Sequence, residues 1–340
     1  MYVLNSDITI GNFRFSGVNA VCINKSMHSI METALITLPS IAKVSKNAKV
    51  LPGTVITGTQ FKDGDPVCIQ LGYNGKLNTE FIGFVKQRNL NMPLEVVCEG
   101  YSYLLRRNTS TAFWKTISLK EYLQFAVSGI DLKYSIKVVC DLDLVLCNIL
   151  INNQSGFEMI NNLATYCDGN ISCFFITPGV LWCGLYYSNC AAGKNVFNIG
   201  QVNYRLGFNV LKNNTLYERI NENDPVAVIY RKKLSTGAIL LQSSDVFSVV
   251  GSTHTRLLNT INSAEELKLL ANEKAYQYSY TGYEGNIVSF LEPFVSAGYV
   301  ANIQDSRYAD KNGNYVVEST QVHFGIQGAK RIVEIGARIN

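Results

Sequence analysis

The segment Gly64-Asp65-Pro66-Val67-Cys68-Ile69-Gln70-Leu71-Gly72-Tyr73, followed by Phe81-Ile82-Gly83-Phe84-Val85, limits the fold most strongly. Val67, Ile69 and Leu71 alternate with Cys68 and Gln70, the period of a half-buried strand. Gly64-Asp65-Pro66 supplies turn chemistry at its start, and Gly72-Tyr73-Asn74-Gly75 supplies it at its end. Phe81, Gly83 and Val85 lie two apart on the returning strand. The segment predicts a β-hairpin in a barrel-like sheet.

The rest of residues 1–100 reads the same way. Ile8–Ile10, Val18–Ile23, Thr33–Leu38 and Leu94–Cys98 are strand candidates, and the β-branched run Pro52–Phe61 is another. Ser40–Leu51, with Lys43, Lys46 and Lys49, reads as an exposed, mobile loop. Six or seven short strands with no helix between them predict a small antiparallel barrel.

The pattern changes at Glu99-Gly100. Tyr101–Arg107 predicts a short helix. Ser118-x-x-Glu121, Ser155-x-x-Glu158 and Ser263-x-x-Glu266 open three more, to about 128, 167 and 278. In each, the Ser side chain is expected to accept from the third helical amide while the Glu reaches back to the Ser amide. Ile136–Val139, Ile171–Ile176 and Val180–Tyr186 read as strands, the last two joined by Thr177-Pro178-Gly179. From about 206 the chain is β again. Ala227–Tyr230 and Ala238–Gln242 flank Ser235-Thr236-Gly237, and Tyr299–Gln304 and Tyr315–His323 flank Asn312-Gly313, a hairpin signal. Arg331–Ile339 is the last strand. The expected fold is therefore β-rich α+β: a first β-barrel over 1–100, a mixed α/β middle over 101–205, and a second β-barrel over 206–340 with an inserted helix at 263–278.

Chemistry is sparse. The three histidines, His28, His254 and His323, match no catalytic spacing, and Asp141-Leu142-Asp143 reads as a strand end rather than a paired-carboxylate site. Gly-x-Ser-x-Gly, His-Glu-x-x-His, Gly-x-x-x-x-Gly-Lys-Ser/Thr and Gly-x-Gly-x-x-Gly are all missing. Nine dispersed cysteines include no Cys-x-x-Cys, and those from 140 to 190 follow no zinc spacing, so buried free thiols are expected. A net charge of +4 with only short basic clusters, Arg106-Arg107 and Arg231-Lys232-Lys233, points away from a phosphate track. The start Met1-Tyr2-Val3-Leu4-Asn5-Ser6-Asp7 lacks the makings of a signal peptide, and no run of about 18 apolar residues crosses a membrane. Only 16% of residues are charged, where about a quarter is usual, which fits either a surface partly covered by partners or a chain with large β cores. Tyr276, Tyr278, Tyr280 and Tyr283 read as core or subunit interface rather than a stacking platform.

Three places resemble one family. They are Gly64-Asp65-Pro66-Val67 with Leu71-Gly72-Tyr73 and Phe81-x-Gly83-x-Val85; Val97-Cys98-Glu99-Gly100-Tyr101 through Leu104-Leu105-Arg106-Arg107 and the Leu119, Tyr122, Leu123 helix; and Gly298-Tyr299-x-Ala301, Tyr308, Gly313-x-Tyr315-x-Val317, Gly328-x-x-Arg331 and Val333-Glu334-Ile335-Gly336. In order and spacing the chain resembles phage tail hub proteins: the late control protein D type, the Mu-like 43-kDa tail protein and the contractile-phage baseplate hub. It is also similar to the N-terminal hub of the type VI secretion spike protein. The resemblance implies two small β-barrels joined by α/β domains, and a homotrimeric ring that adapts a six-fold tail tube to a three-fold spike. It implies structural roles for Gly64, Asp65, Pro66, Gly72, Tyr73, Gly83, Gly298, Gly313, Arg331 and Gly336. The expected partners are tail tube and tail spike proteins. No catalytic residue, cofactor, metal, small-molecule substrate or membrane segment is expected, nor specific nucleic-acid binding, with DNA at most passing through the channel. The expected location is the virion tail after assembly in the bacterial cytoplasm. Many relatives carry a lysozyme or spike domain, and a chain ending at Asn340 is expected to have no room for one. A receptor- or carbohydrate-binding tail component and a hydrolase with a dispersed site stay open as alternatives.

Overall fold

The computed structural model of the chain describes residues 3–15, 17–43, 45–46, 49–50, 53–194, 197–213, 215–219, 227–233, 236–245, 253–309 and 312–339. The alternation at 66–85 becomes the strands Pro66–Tyr73 and Lys76–Asn89, paired antiparallel. Asn74 and Gly75 join them with φ of 52° and 82°. Those positive angles match the twist of the two strands, which explains the tight turn. Ile69 and Leu71 are fully buried. Gly72 is required by close approach, because a Cβ there would lie 1.9 Å from the Lys76 carbonyl oxygen.

This hairpin sits inside a 15-stranded sheet. On one side follow Leu4–Ile10 and Phe13–Phe15; on the other follow Leu94–Glu99, Thr33–Leu38 and Ala20–Ser26. Ala20–Ser26 then pairs antiparallel with Gly313–Gly325, from Ala20 opposite Gly325 to Ser26 opposite Ser319. The sheet continues through Gly328–Ile339 to Asn286–Ser289 and Val210–Lys212. The fold is β-rich with few helices, and its two β sections share one sheet. The pairings among the described residues close neither section into a barrel.

Each β section keeps its own core. Ile8, Ile36, Val67, Ile69, Phe81 and Val96 fill the first, joined by Leu291, Val322 and Phe324 from the far end of the chain. Tyr204, Ile287, Ile303, Val317, Val333 and Ile335 are among those that fill the second. Burying one such side chain contributes about 1.5–3 kcal/mol. The middle section packs helices Leu119–Ala126 and Gly156–Tyr166 against the paired strands Thr109–Ser118 and Val145–Ser155. Its core also contains Val228, Tyr230, Leu267, Leu270 and Ala271. The helix Ala264–Ser279 and the strand Ala227–Lys233 thus fill the middle core. Among the described residues no helix is long and apolar enough to cross a membrane.

Several expectations change. Ser118 and Ser155 form the full reciprocal cap with Glu121 and Glu158. At Ser263 only half forms, because Glu266 instead accepts from the Val145 amide at 2.9 Å. Within 53–61, strand pairing is confined to Val55–Ile56, followed by a 3-10 turn at Thr57–Thr59; Pro52 lies outside the described residues. The described part of 40–51 carries the short strands Ile41–Ala42, Ser45–Lys46 and Lys49–Val50. Asn312-Gly313 is not the positive-φ turn expected. Gly313 begins an extended strand, and the Asn312 side chain accepts from the Asp305 amide at 2.6 Å. Met1, Tyr2, Ser235, Asp310, Lys311 and Asn340, invoked in the leader, turn and chain-end readings, lie outside the described residues.

Candidate functional site

The described residues bring no catalytic set together. His254 rests against Tyr278 with ring centroids 5.3 Å apart, and His323 lies in a strand opposite Cys22 and Lys330. Burial, then the nearby Lys330 charge, pulls the His323 pKa down. Asp141 and Asp143 are exposed. No group of three or more His, Cys, Asp or Glu side chains among the described residues is arranged to hold a metal ion.

Two buried residues of opposite charge, Glu80 and Arg331, meet where the β sections join. Glu80 is the extra residue of a β-bulge, between Thr79 opposite Gln70 and Phe81 opposite Ile69. A bulge re-aims a side chain, and Glu80 is turned inward, 2% exposed. There Arg331, from the last strand and 1% exposed, donates to both its carboxylate oxygens at 3.0 and 2.7 Å. The same guanidinium donates to the carbonyls of Val295 and Leu291 at 2.9 and 3.1 Å and lies 5.3 Å from the Phe294 ring. The Tyr73 hydroxyl donates to the Ala329 carbonyl at 3.4 Å and accepts from the Leu291 amide at 3.3 Å. Residues 291–295 are thereby held between the two sections. A two-pronged charge-assisted pair fixes direction as well as distance, although the buried Arg331 Nε has no hydrogen-bond partner of its own among the described residues.

A second junction uses the same device. Glu318 is the extra residue between Val317 opposite Ile335 and Ser319 opposite Glu334. It accepts from the Tyr186 hydroxyl at 3.1 Å and lies 3.2 Å from His28 Nε2. Tyr186 in turn accepts from the Ala337 amide at 3.0 Å. Burial, the largest influence, pulls the His28 pKa down. The Glu318 hydrogen bond and the charges of Glu318 and Glu334 outweigh it, so the net shift is upward. Glu273 accepts from the amides of Tyr186, Tyr187 and Ser188, each at 2.8 Å, tying helix Ala264–Ser279 to this corner. A third bulge frees Lys86, whose Nζ lies 2.8 Å from the buried Glu99. Glu99 also accepts from Ser102 at 2.7 Å and Arg106 at 2.8 Å. Burial pushes the Glu99 pKa up most, but the hydrogen bonds from Lys86, Arg106 and Ser102 and the Arg106 charge together leave it lowered.

Of the positions singled out by resemblance, Tyr73 and Arg331 meet through Leu291, and the others do separate work. Gly64, at φ 91°, abuts Arg107, and the Asp65 carboxylate accepts from the Lys62 amide at 2.9 Å. Pro66 opens its strand and its carbonyl accepts from the Gly11 amide. A Cβ at Gly83 would lie 2.3 Å from the Glu99 carbonyl oxygen, and one at Gly336 would lie 2.0 Å from the Glu318 carboxylate. Gly298 packs against Phe174 and Ile199, and Gly313 against Arg338. Glu80 and Glu318 are the residues that sequence reasoning missed, and Glu99 enters it only as part of a family-like segment. The available signal was a lone acid beside an apolar run, as at Glu80-Phe81-Ile82.

No family model matches this chain, and no curated protein matches it. Solved structures do. A tail protein from Neisseria meningitidis aligns over 98% of this chain and 96% of its own, with a TM-score of 0.64 and 9% identity. The 43 kDa tail protein of prophage MuSo2 from Shewanella oneidensis aligns over 98% of both chains, with a TM-score of 0.59 and 12% identity. An Escherichia coli component of the type VI secretion system, described as structurally similar to T4 bacteriophage tail proteins, aligns over 97% of this chain and 76% of its own, with a TM-score of 0.58 and 9% identity. At these identities the likeness is one of fold.

Proposed function

We propose that the chain is the structural hub of a phage tail or of a related injection machine. In this reading three copies form a ring that adapts a six-fold tail tube to a three-fold spike and lines the channel. The observation that carries it is end-to-end agreement with the 43 kDa prophage tail protein, over 98% of both chains. Such agreement includes both β sections and the middle, so it concerns the whole architecture rather than one widespread small fold.

Two surface features support it. Charged residues are only 16% of the chain. Ile41, Ile56, Leu90 and Met92, at 55, 62, 70 and 83% exposed, crowd one end of the first β section, where Ile41 pairs with Ile56 and Ser40 reaches the Asn91 carbonyl. Exposed apolar clusters of this kind mark association surfaces. The role is mechanical rather than catalytic. The partners are further copies, the tube and the spike, and the location is the virion tail after assembly in the bacterial cytoplasm. For the domain layout we propose divisions near residues 100 and 205, with strand Ala227–Lys233 and helix Ala264–Ser279 belonging to the middle unit, a reading supported by Tyr230 and Leu270 in its core.

The test is native mass by light scattering on a sizing column, with negative-stain images of the same peak. A mass of three subunits and ring-shaped particles are expected. A chain that stays monomeric even with tube and spike proteins added would overturn the reading.

A further inference from the structure

The six cysteines between 140 and 190 look scattered in sequence, but the fold sorts three of them into a row. Strand Lys137–Val139 runs parallel to Val180–Gly184, with Lys137 opposite Val180 and Val139 opposite Trp182. The next step along this register sets Cys140 beside Cys183, and Cys183 is the largest influence on the Cys140 thiol, pulling its pKa down. On its other side Cys183 directly faces Cys173 in the antiparallel strand Ser172–Thr177, with the two sulfurs 2.7 Å apart. Facing residues of antiparallel strands have Cα atoms about 4.5 or 5.5 Å apart, and both spacings fall within the roughly 4.4–6.8 Å that a disulfide spans. Access is graded: Cys173 is half-buried, whereas Cys140 and Cys183 are buried.

We propose that Cys173, Cys183 and Cys140 form a thiol–disulfide exchange site, modified by small disulfides such as oxidised glutathione, whose product is a Cys173–Cys183 cross-strand disulfide. The Cys173 thiolate attacks one sulfur of the small disulfide. That S–S bond breaks, one glutathione thiolate leaves, and Cys173 carries the other glutathione. Cys183 passes its proton to the Cys140 thiolate and attacks the Cys173 sulfur, expelling the second glutathione thiolate. Two protein thiols are oxidised and one glutathione disulfide is reduced. Cys140 acts through Cys183. The hydrogen bond from Cys183, against burial, brings the Cys140 pKa down to about 7, so a thiolate is present at neutral pH. Burial holds the Cys183 thiol well above its ordinary value, which is why it needs a neighbouring acceptor for its proton.

The test treats the folded full chain with oxidised glutathione and reads intact mass and disulfide position. No Lys or Arg lies between 138 and 193, so trypsin leaves all six cysteines on one peptide. Cleavage at aromatic residues separates Cys173 from Cys183 at Phe174, Phe175 and Trp182. The expected product is lighter by two hydrogens and linked between Cys173 and Cys183. Cys173→Ser should give neither the link nor an adduct on the 138–193 segment, and Cys183→Ser or Cys183→Ala should stop at a glutathione adduct on Cys173. Cys140→Ser should slow closure by about tenfold near neutral pH, with the gap narrowing as pH rises. A lasting glutathione adduct on Cys173 of the wild-type chain, a link of Cys173 or Cys183 to another cysteine, or an unreactive Cys173 would overturn the site. Closure at the wild-type rate in Cys140→Ser at every pH would remove Cys140 from it.

Discussion

Arg331 and Glu80 form a contact of large consequence, because both are buried and Arg331 donates to both carboxylate oxygens of Glu80. Removing one partner leaves an uncompensated buried charge, which costs about 3–5 kcal/mol, whereas replacing both with apolar side chains of similar volume is often near neutral. Arg331→Ala is therefore expected to lower the urea midpoint sharply, and Glu80→Leu combined with Arg331→Met to restore much of it. An unchanged midpoint in the single variant would show that the pair does not hold the sections together. His28 adds a pH dependence. Its folded pKa lies above the ordinary 6.5, so its contribution is full below that value and is lost as pH rises through the raised folded value. The stability gap between wild type and His28→Gln should accordingly shrink from mildly acid to mildly alkaline pH, and a gap that widened would contradict the Glu318 contact. Arg331 and Tyr73 are legible in the sequence through their family-like surroundings. Glu80 and Glu318 are not, because a bulge breaks the two-residue period that would otherwise place them.

Among elements, legibility follows how local the causes are. Helices opened by Ser-x-x-Glu are readable because the cap closes within four residues. Ser155→Ala is expected to cost about 1 kcal/mol, the usual value of a lost cap, measurable as a shifted thermal midpoint. Glu266 should behave differently from Glu158. Its carboxylate holds the Val145 amide across the middle section, whereas Glu158 closes only its own cap. Glu266→Ala should thus expose the Val145 amide to hydrogen exchange, and Glu158→Ala should not; equal protection in both variants would place the tether elsewhere. The strands Thr109–Ser118 and Val145–Ser155 escape sequence reading for the opposite reason. Asn148 and Asn153 sit at φ of 55° and 50°, and the register slips between Ser110 and Ala112, so no clean alternation survives.

At the scale of the whole molecule, the β, α/β, β order is legible and its closure is not. Ala20–Ser26 and Gly313–Gly325 pair across almost the full length of the chain, and no local pattern records a partner roughly 300 residues away. That pairing decides how the first β section can exist. Without Gly313–Gly325, the strand Ala20–Ser26 becomes a bare edge of unpaired amides and carbonyls. The first core also loses Leu291, Val322 and Phe324, and Glu80 loses Arg331. A fragment of residues 1–100 should therefore fail to fold as a stable monomer, although its own strands and turns are all present. Sizing and circular dichroism of that fragment should show aggregation or a broad, weak transition. Mixing it with the remaining 240 residues, which carry the missing strand, should restore a cooperative one. A monomeric fragment melting sharply on its own would mean that each β section is self-sufficient, and that the shared sheet and the Glu80–Arg331 pair only orient two finished units. The buried junction requires that the fragment fold only when Val322 and Phe324 are supplied.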